Sequence, residues 1–302
     1  MKTLRQHHKL LGWFMICLMA VWLPGNNLRA ATFYWDSDGF ITGNDATTGD
    51  GLGGDGVWDL SSAFWWDGDA SMGAWNNSFN DVAIFAGTAG IVTLADLVSA
   101  GGLTFNSRGS TITGSTLTLG APAGSNSPVI NVGLMNSATI SSLLAGTQGF
   151  TKTGNGALVL ANAANTFTGD ISIKQGSLVI SNAWQLGSGN TAISVTGIAN
   201  TGNPGFSGGQ LVLNGIDGGV IMTRDISVSG RGPGAVNSSG GLVSVGNNVL
   251  NGNLVIASGA SEGRVTATHG ITTVNGGVQL GAGAAQLFYG NGNWIINGRV
   301  TG

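Results

Sequence analysis

Two segments, Gly205-Phe206-Ser207-Gly208-Gly209 and Gly259-Ala260-Ser261-Glu262-Gly263, have the Gly-x-Ser-x-Gly spacing that exposes a nucleophilic serine in hydrolases. That chemistry needs a strand-turn-helix elbow and a base to activate the hydroxyl. No helical pattern follows either segment, and His269 is the only histidine beyond the first 30 residues. With 54 glycines in 302 residues, such matches arise by chance, and His269 on a Thr-rich strand edge reads as a solvated side chain. Gly51-Leu52-Gly53-Gly54-Asp55-Gly56 fits a dinucleotide-binding fingerprint in form only. Trp58-Asp59 and further breakers follow it in place of a helix, so it reads as a loop.

Glycan cleavage needs paired carboxylates on one face. Beyond Asp96 the acids are Asp170, Asp217, Asp225 and Glu262, far apart in sequence. Asp225 beside Arg224 is the nearest to a charged pair and reads as an exposed turn. Nine acids and no Lys or Arg lie between Ala31 and Asp81, a balance that invites incidental binding of a hard cation such as calcium. A calcium solenoid repeats its nonapeptide, which this segment does not, so a solvated acidic loop is expected. The expectation is a chain with no catalytic residues, no cofactor and no metal site.

The elements that would position any such residues follow from composition. One Glu and four Lys stand against abundant Thr, Ser, Asn and Gly, and the mean hydropathy of +0.24 supplies burial, so the chain reads as all-β. Lys2, Arg5 and Lys9 precede an apolar run from Leu10 to Leu23 and a small-residue site at Leu28-Arg29-Ala30, the parts of a secretory leader over 1–30. The apolar run is shorter than the roughly 20 residues that span a bilayer. Without the leader the chain has no cysteine, and 7 basic against 14 acidic residues leave a surface that repels phosphate backbones, so no nucleic-acid partner is expected.

Residues 31–81 form a Trp/Asp/Gly-rich unit holding Trp35, Trp58, Trp65, Trp66 and Trp75. Their expected use is to plug the open first coil as an N-terminal cap, with a carbohydrate-stacking platform as the alternative. From 82 to 302 short alternating strands recur, among them Leu117-Thr118-Leu119, Leu158-Val159-Leu160, Ile171-Ser172-Ile173, Leu211-Val212-Leu213 and Leu254-Val255-Ile256. Each turns two apolar side chains to one face and is too short to bury a core alone. Stacking them coil on coil gives one apolar column with Gly or Asn at the corners, a β-solenoid. Strand starts recur at uneven intervals, from seven residues (171 to 178) to eighteen (193 to 211), which predicts loops of unequal length.

Gly149-Phe150-Thr151-Lys152-Thr153-Gly154-Asn155-Gly156, then Leu158-Val159-Leu160, Asn165-Thr166-Phe167-Thr168-Gly169, Ile171-Ser172-Ile173 and Gly176-Ser177-Leu178 closely resemble the autotransporter-associated β-strand repeat, or passenger-associated transport repeat. Its pattern is a Lys-Thr-Gly-x-Gly turn, a strand, an Asn-Thr-aromatic-Thr-Gly turn, a strand and Gly-x-Leu. Lys152, Thr153, Gly154, Gly156, Asn165, Thr166, Phe167, Gly169, Gly176 and Leu178 match it. Trp35-Asp36, Trp58-Asp59 and Asp81-Val82-Ala83-Ile84-Phe85 are similar to the module that opens such proteins, and 205–302 to the degenerate solenoid that follows. The resemblance implies a right-handed parallel β-helix, exported and held at the outer membrane or released outside the cell. Relatives commonly end in a membrane barrel or sorting signal. The sequence reaches Gly302 within repeat-like residues, so truncation and outer-membrane association through a missing C-terminal region are expected.

A non-enzymatic structural or adhesive surface scaffold follows, with residues 149–178 as a nucleating coil that aids folding after secretion. Cell-surface glycans or other surface proteins are the expected partners. A carbohydrate-active enzyme or glycan-binding module on the same solenoid is the alternative. Within the repeat, a surface pair between Lys152 and Asp170 would contribute only about 0–1 kcal/mol, so turn geometry is the better account of the motif.

Overall fold

In the computed structural model, the period-two alternation of the sequence becomes a stack of parallel rungs. The structure describes residues 30–196, 208–233, 240–257, 263–281 and 286–302. The expected leader up to residue 29, Ser207, Ser261 and Glu262 lie outside the described residues. Strand accounts for 48% of the structure and helix for 2%, wound into a parallel β-solenoid of about eight turns.

Each full turn has three sides. Val82–Phe85, Ile91–Leu94 and Val98–Ala100 make one such turn, and Gly102–Phe105 begins the next by pairing in parallel with Val82–Phe85. Among the described residues the first face carries 13 strands and the second 10, while the third is split into separate sheets of 3 and 4 strands. Inward side chains stand in register from rung to rung. On the second face Ala138, Leu158, Leu178, Leu211, Leu242 and Val265 form one column, all buried. Each buried aliphatic side chain contributes about 1.5–3 kcal/mol, gained only when a neighbouring rung covers it.

The uneven strand spacing has a simple geometric origin. Ile171–Ile173 lies on the first face and Gly176–Ile180 on the second, so a short interval turns one corner. Ile193–Thr196 and Gly209–Gly215 likewise lie on the first and second faces, with more residues between them in sequence.

At the N-terminal end, Thr32–Trp35 pairs in parallel with Val82–Phe85 on one edge. Its other edge pairs antiparallel with Trp65–Trp66, which pairs antiparallel with Met72–Gly73. All five tryptophans of this segment are buried. Trp58, Trp65 and Trp75 meet at ring-centroid distances of 4.6–4.9 Å, and Phe85 links Trp58 and Trp65 to Phe105. Buried rings have no free face for a sugar, so the carbohydrate-stacking alternative does not hold for these five.

Candidate functional site

The repeat spans two successive rungs. Phe150–Thr153 and Ala157–Leu160 supply the first two faces of one coil, and Ile171–Ile173 with Gly176–Ile180 supply the same faces of the next. The two halves of the motif therefore lie on one another, Phe150 over Ile171, Lys152 over Ile173 and Leu158 over Leu178.

Lys152 departs from the sequence expectation. Period two makes Lys152 inward whenever Phe150 is inward, and it occupies the apolar column of the first face between Ile130 and Ile173. It is 0% exposed, while Asp170 is exposed, so the expected surface pair is not formed. Its Nζ instead donates to the carbonyl oxygens of Thr153 (2.7 Å), Gly154 (2.8 Å) and Gln175 (3.1 Å). Three donors meet three acceptors, which satisfies an ammonium that water cannot reach. Burial pushes its pKa down to about 7.

The turn after Lys152 is built for close stacking. Gly154 has φ +71°, and a Cβ there would lie 2.2 Å from the Val132 carbonyl oxygen of the rung below. Gly156, Gly169 and Gly176 likewise pack onto the backbone of the preceding coil. Thr153 Oγ1 accepts from Asn131 Nδ2 at 3.1 Å, and the Gly154 amide donates to Gln175 Oε1 at 3.1 Å.

Asn165 serves the third face. Among the described residues no strand forms there between Leu144–Ala145 and Ile221–Met222, and the side-chain amide replaces part of the missing ladder. Oδ1 accepts from the Leu144 amide (2.8 Å) and Nδ2 donates to the Gln185 carbonyl (2.8 Å). Phe167, two residues on, fills the interior and meets Phe150 edge-on at 5.5 Å, while Thr166 between them is exposed. Gln185 belongs to the 3₁₀ helix Ala183–Leu186, whose N-cap Asn182 forms a capping box with it.

Arg224 also corrects the sequence expectation, which took it with Asp225 for an exposed turn. It is 5% exposed, and its guanidinium donates to Leu186 O, Thr191 O and Thr191 Oγ1 at 2.7–2.9 Å. Asp225 is the exposed member, accepting from the Asn253 amide at 2.7 Å. The alternation Met222, Arg224, Ile226 carries the signal for the inward arginine. A further pattern that sequence reading missed is the corner Asn-Gly at 251, 275 and 297, where Asn297 Nδ2 donates to Asn275 Oδ1 and Asn275 Nδ2 to Asn251 Oδ1, each 2.9 Å.

The N-terminal acids close turns and join rungs. Asp59 accepts main-chain N–H groups from Ser61 and Ser62, which lower its pKa to about 2, and Asp45 and Asp67 are lowered in the same way. Asp55 accepts from the Ile91 amide and Asp81 from the Ala31 amide. Burial raises the carboxyls of Asp36 and Asp81. No group of three or more His, Cys, Asp or Glu among the described residues could hold a metal ion. Gly51–Asp55 is a loop pinned by parallel bridges from Gly53 to Asp36 and Thr88, Gly56 opens the strand Gly56–Trp58, and His269 is exposed.

Residues 150–180 match the family model of the passenger-associated-transport-repeat. The chain is also 38% identical over 211 residues to the adhesin BmaC autotransporter of Brucella suis biovar 1 (strain 1330), a match that covers 67% of this chain and 6% of the length of that relative. No solved structure matches the chain.

Proposed function

We propose that this chain, which carries a passenger-associated transport repeat within a parallel β-solenoid, is a non-enzymatic scaffold displayed outside the cell and that adhesion is its work. The observation that carries this reading is the use made of two buried cations. Lys152 and Arg224 direct their donors at main-chain oxygens, so the groups most perturbed by burial hold the scaffold together. A perturbed side chain facing a cleft would argue for chemistry instead. The similarity to a relative named as an adhesin autotransporter supports display and adhesion.

Export begins with the leader over 1–30, and the repeat aids folding once the chain is outside. Each rung offers the next one a strand edge and an apolar column, so order spreads from a formed coil without disulfides or nucleotide hydrolysis. The bonds of Lys152 to Gln175 and of Asn165 to Gln185 both reach forward to the following coil, which makes 149–178 a suitable nucleus. The buried tryptophans of 31–81 close the first coil.

A glycan is the partner class favoured by one observation. Trp184 is 66% exposed on the 3₁₀ helix fixed by Asn182 and Gln185, a rigid apolar surface of the kind that stacks on sugar rings. The test applies residues 31–302 to a glycan array alongside polysaccharide hydrolase and lyase assays. Binding without turnover, weakened by Trp184→Ala, is expected; specific turnover would overturn the non-enzymatic reading.

A further inference from the structure

On the third face the main-chain ladder has a break. Thr166 N and Thr168 N donate to Leu144 O and Gly146 O at 2.9 Å, and Ser188 N donates to Phe167 O at 3.0 Å, so backbone bonds tie the rungs as far as the segment after the 3₁₀ helix. The next strand on this face, Ile221–Met222, opens the separate four-stranded sheet. It pairs upward with Asn248–Leu250 through Ile221 and Val249, and Met222 and Leu250.

Across that break, up to the corner at Ile193, one side chain supplies the ties. The Arg224 guanidinium, on the upper rung, donates through Nε to Thr191 O (2.7 Å), through Nη1 to Leu186 O (2.8 Å) and through Nη2 to Thr191 Oγ1 (2.9 Å). Nη2 also reaches Gly169 O at 3.4 Å, one rung lower. The acceptors lie 33, 38 and 55 residues upstream, in two coils. Leu186, Val220 and Met222 are fully buried beside the break, so the apolar interior runs through it, while the main chain joins the two rungs only at the corner that opens the first face, where Ile193 N donates to Asp225 O at 2.8 Å.

The structure assigns Arg224 the role of a rivet that couples the two halves of the third face: the segment that carries the 3₁₀ helix and Thr191 on one side, and the four-stranded sheet that Ile221–Met222 opens on the other. With its planar fork in place they open and close as one unit. Without it Leu186 O and Thr191 O lose their donors, and this face opens at the break while the first two faces stay paired. The chemistry favours arginine because a rigid fork can serve several carbonyls at once, whereas an ammonium is a single point. Burial of an unsatisfied guanidinium would be strongly unfavourable, which is why the site is tolerable only as a joint with its acceptors in place.

Hydrogen exchange read by mass spectrometry on residues 31–302 tests this. Arg224→Met is expected to accelerate exchange about 10- to 100-fold in 183–192 and 220–224. Protection at Ile171–Ile173 and Gly209–Gly215, on the first and second faces, stays at its wild-type level. A uniform acceleration over all faces, or none at the break, would overturn the assignment. Should Arg224→Met fail to fold, Arg224→Lys decides the matter. A smaller opening confined to the same two segments supports the rivet, and an unchanged or a uniform profile removes it.

Discussion

Lys152 Nζ donates to the carbonyl oxygen of Gln175 at 3.1 Å, and this bond ties one rung of the repeat to the next from inside the apolar column. A methionine at 152 would fill similar volume but leave the carbonyls of Thr153, Gly154 and Gln175 without that donor. Lys152→Met should therefore cost about 2–4 kcal/mol, read from urea unfolding of residues 31–302. A change under about 0.5 kcal/mol would mean that the three bonds contribute nothing net.

The same lysine gives stability a pH dependence. Its pKa is about 7 in the folded chain, below the ordinary 10.5 that it regains on unfolding. Between these values the unfolded chain binds the extra proton, so stability rises with pH across that window, by up to about 1.4 kcal/mol per unit. The contribution is complete above pH 10.5 and is lost as pH falls through 7. Unfolding midpoints measured from pH 6.5 to 10 should rise in the wild type and stay flatter in Lys152→Met; equal slopes would contradict the assignment.

Asn165 is expected to tolerate neither alanine nor aspartate. Alanine strands the Leu144 amide and the Gln185 carbonyl, and aspartate can still accept from Leu144 but sets an oxygen against the Gln185 oxygen. Losses of about 2–5 kcal/mol for both variants are expected in thermal or urea unfolding. An Asn165→Asp protein as stable as wild type would show that the bond to Gln185 is dispensable.

Gly154 and Gly109 form a matched pair. Both have positive φ, but a Cβ at 154 meets the Val132 carbonyl at 2.2 Å while nothing lies within 4 Å of one at 109. Gly154→Ala should cost about 2–4 kcal/mol and Gly109→Ala only about 1, the backbone part alone. Equal losses would remove close stacking from the account of the repeat.

The fold was legible because short apolar triplets admit few arrangements. Leu158, Leu160, Leu178 and Ile180 are inward, as their two-residue spacing requires, and each needs a rung on either side. Lys152 and Arg224 were hidden by their chemistry, since a charged side chain is normally placed outside, although their alternation with Phe150 and with Met222 and Ile226 points inward. Asn165 shares the phase of Phe167 and was legible only as turn chemistry. The break in the third face has no sequence signal of its own, because the absence of a strand there depends on what Asn165, Gln185 and Arg224 do together in space.

The central claim is one continuous parallel stack, and distances along it test that most directly. Val129, Thr151, Ser172, Ser194, Ser227, Val255, Gln279 and Thr301 stand in register on the outer side of the first face. Spin labels at Val129 and Ser194, and at Val129 and Gln279, should lie about 14 and 29 Å apart, near 4.8 Å per rung. Pulsed electron resonance that finds this proportion supports the stack; a Val129 to Gln279 distance equal to or shorter than that from Val129 to Ser194 would contradict it.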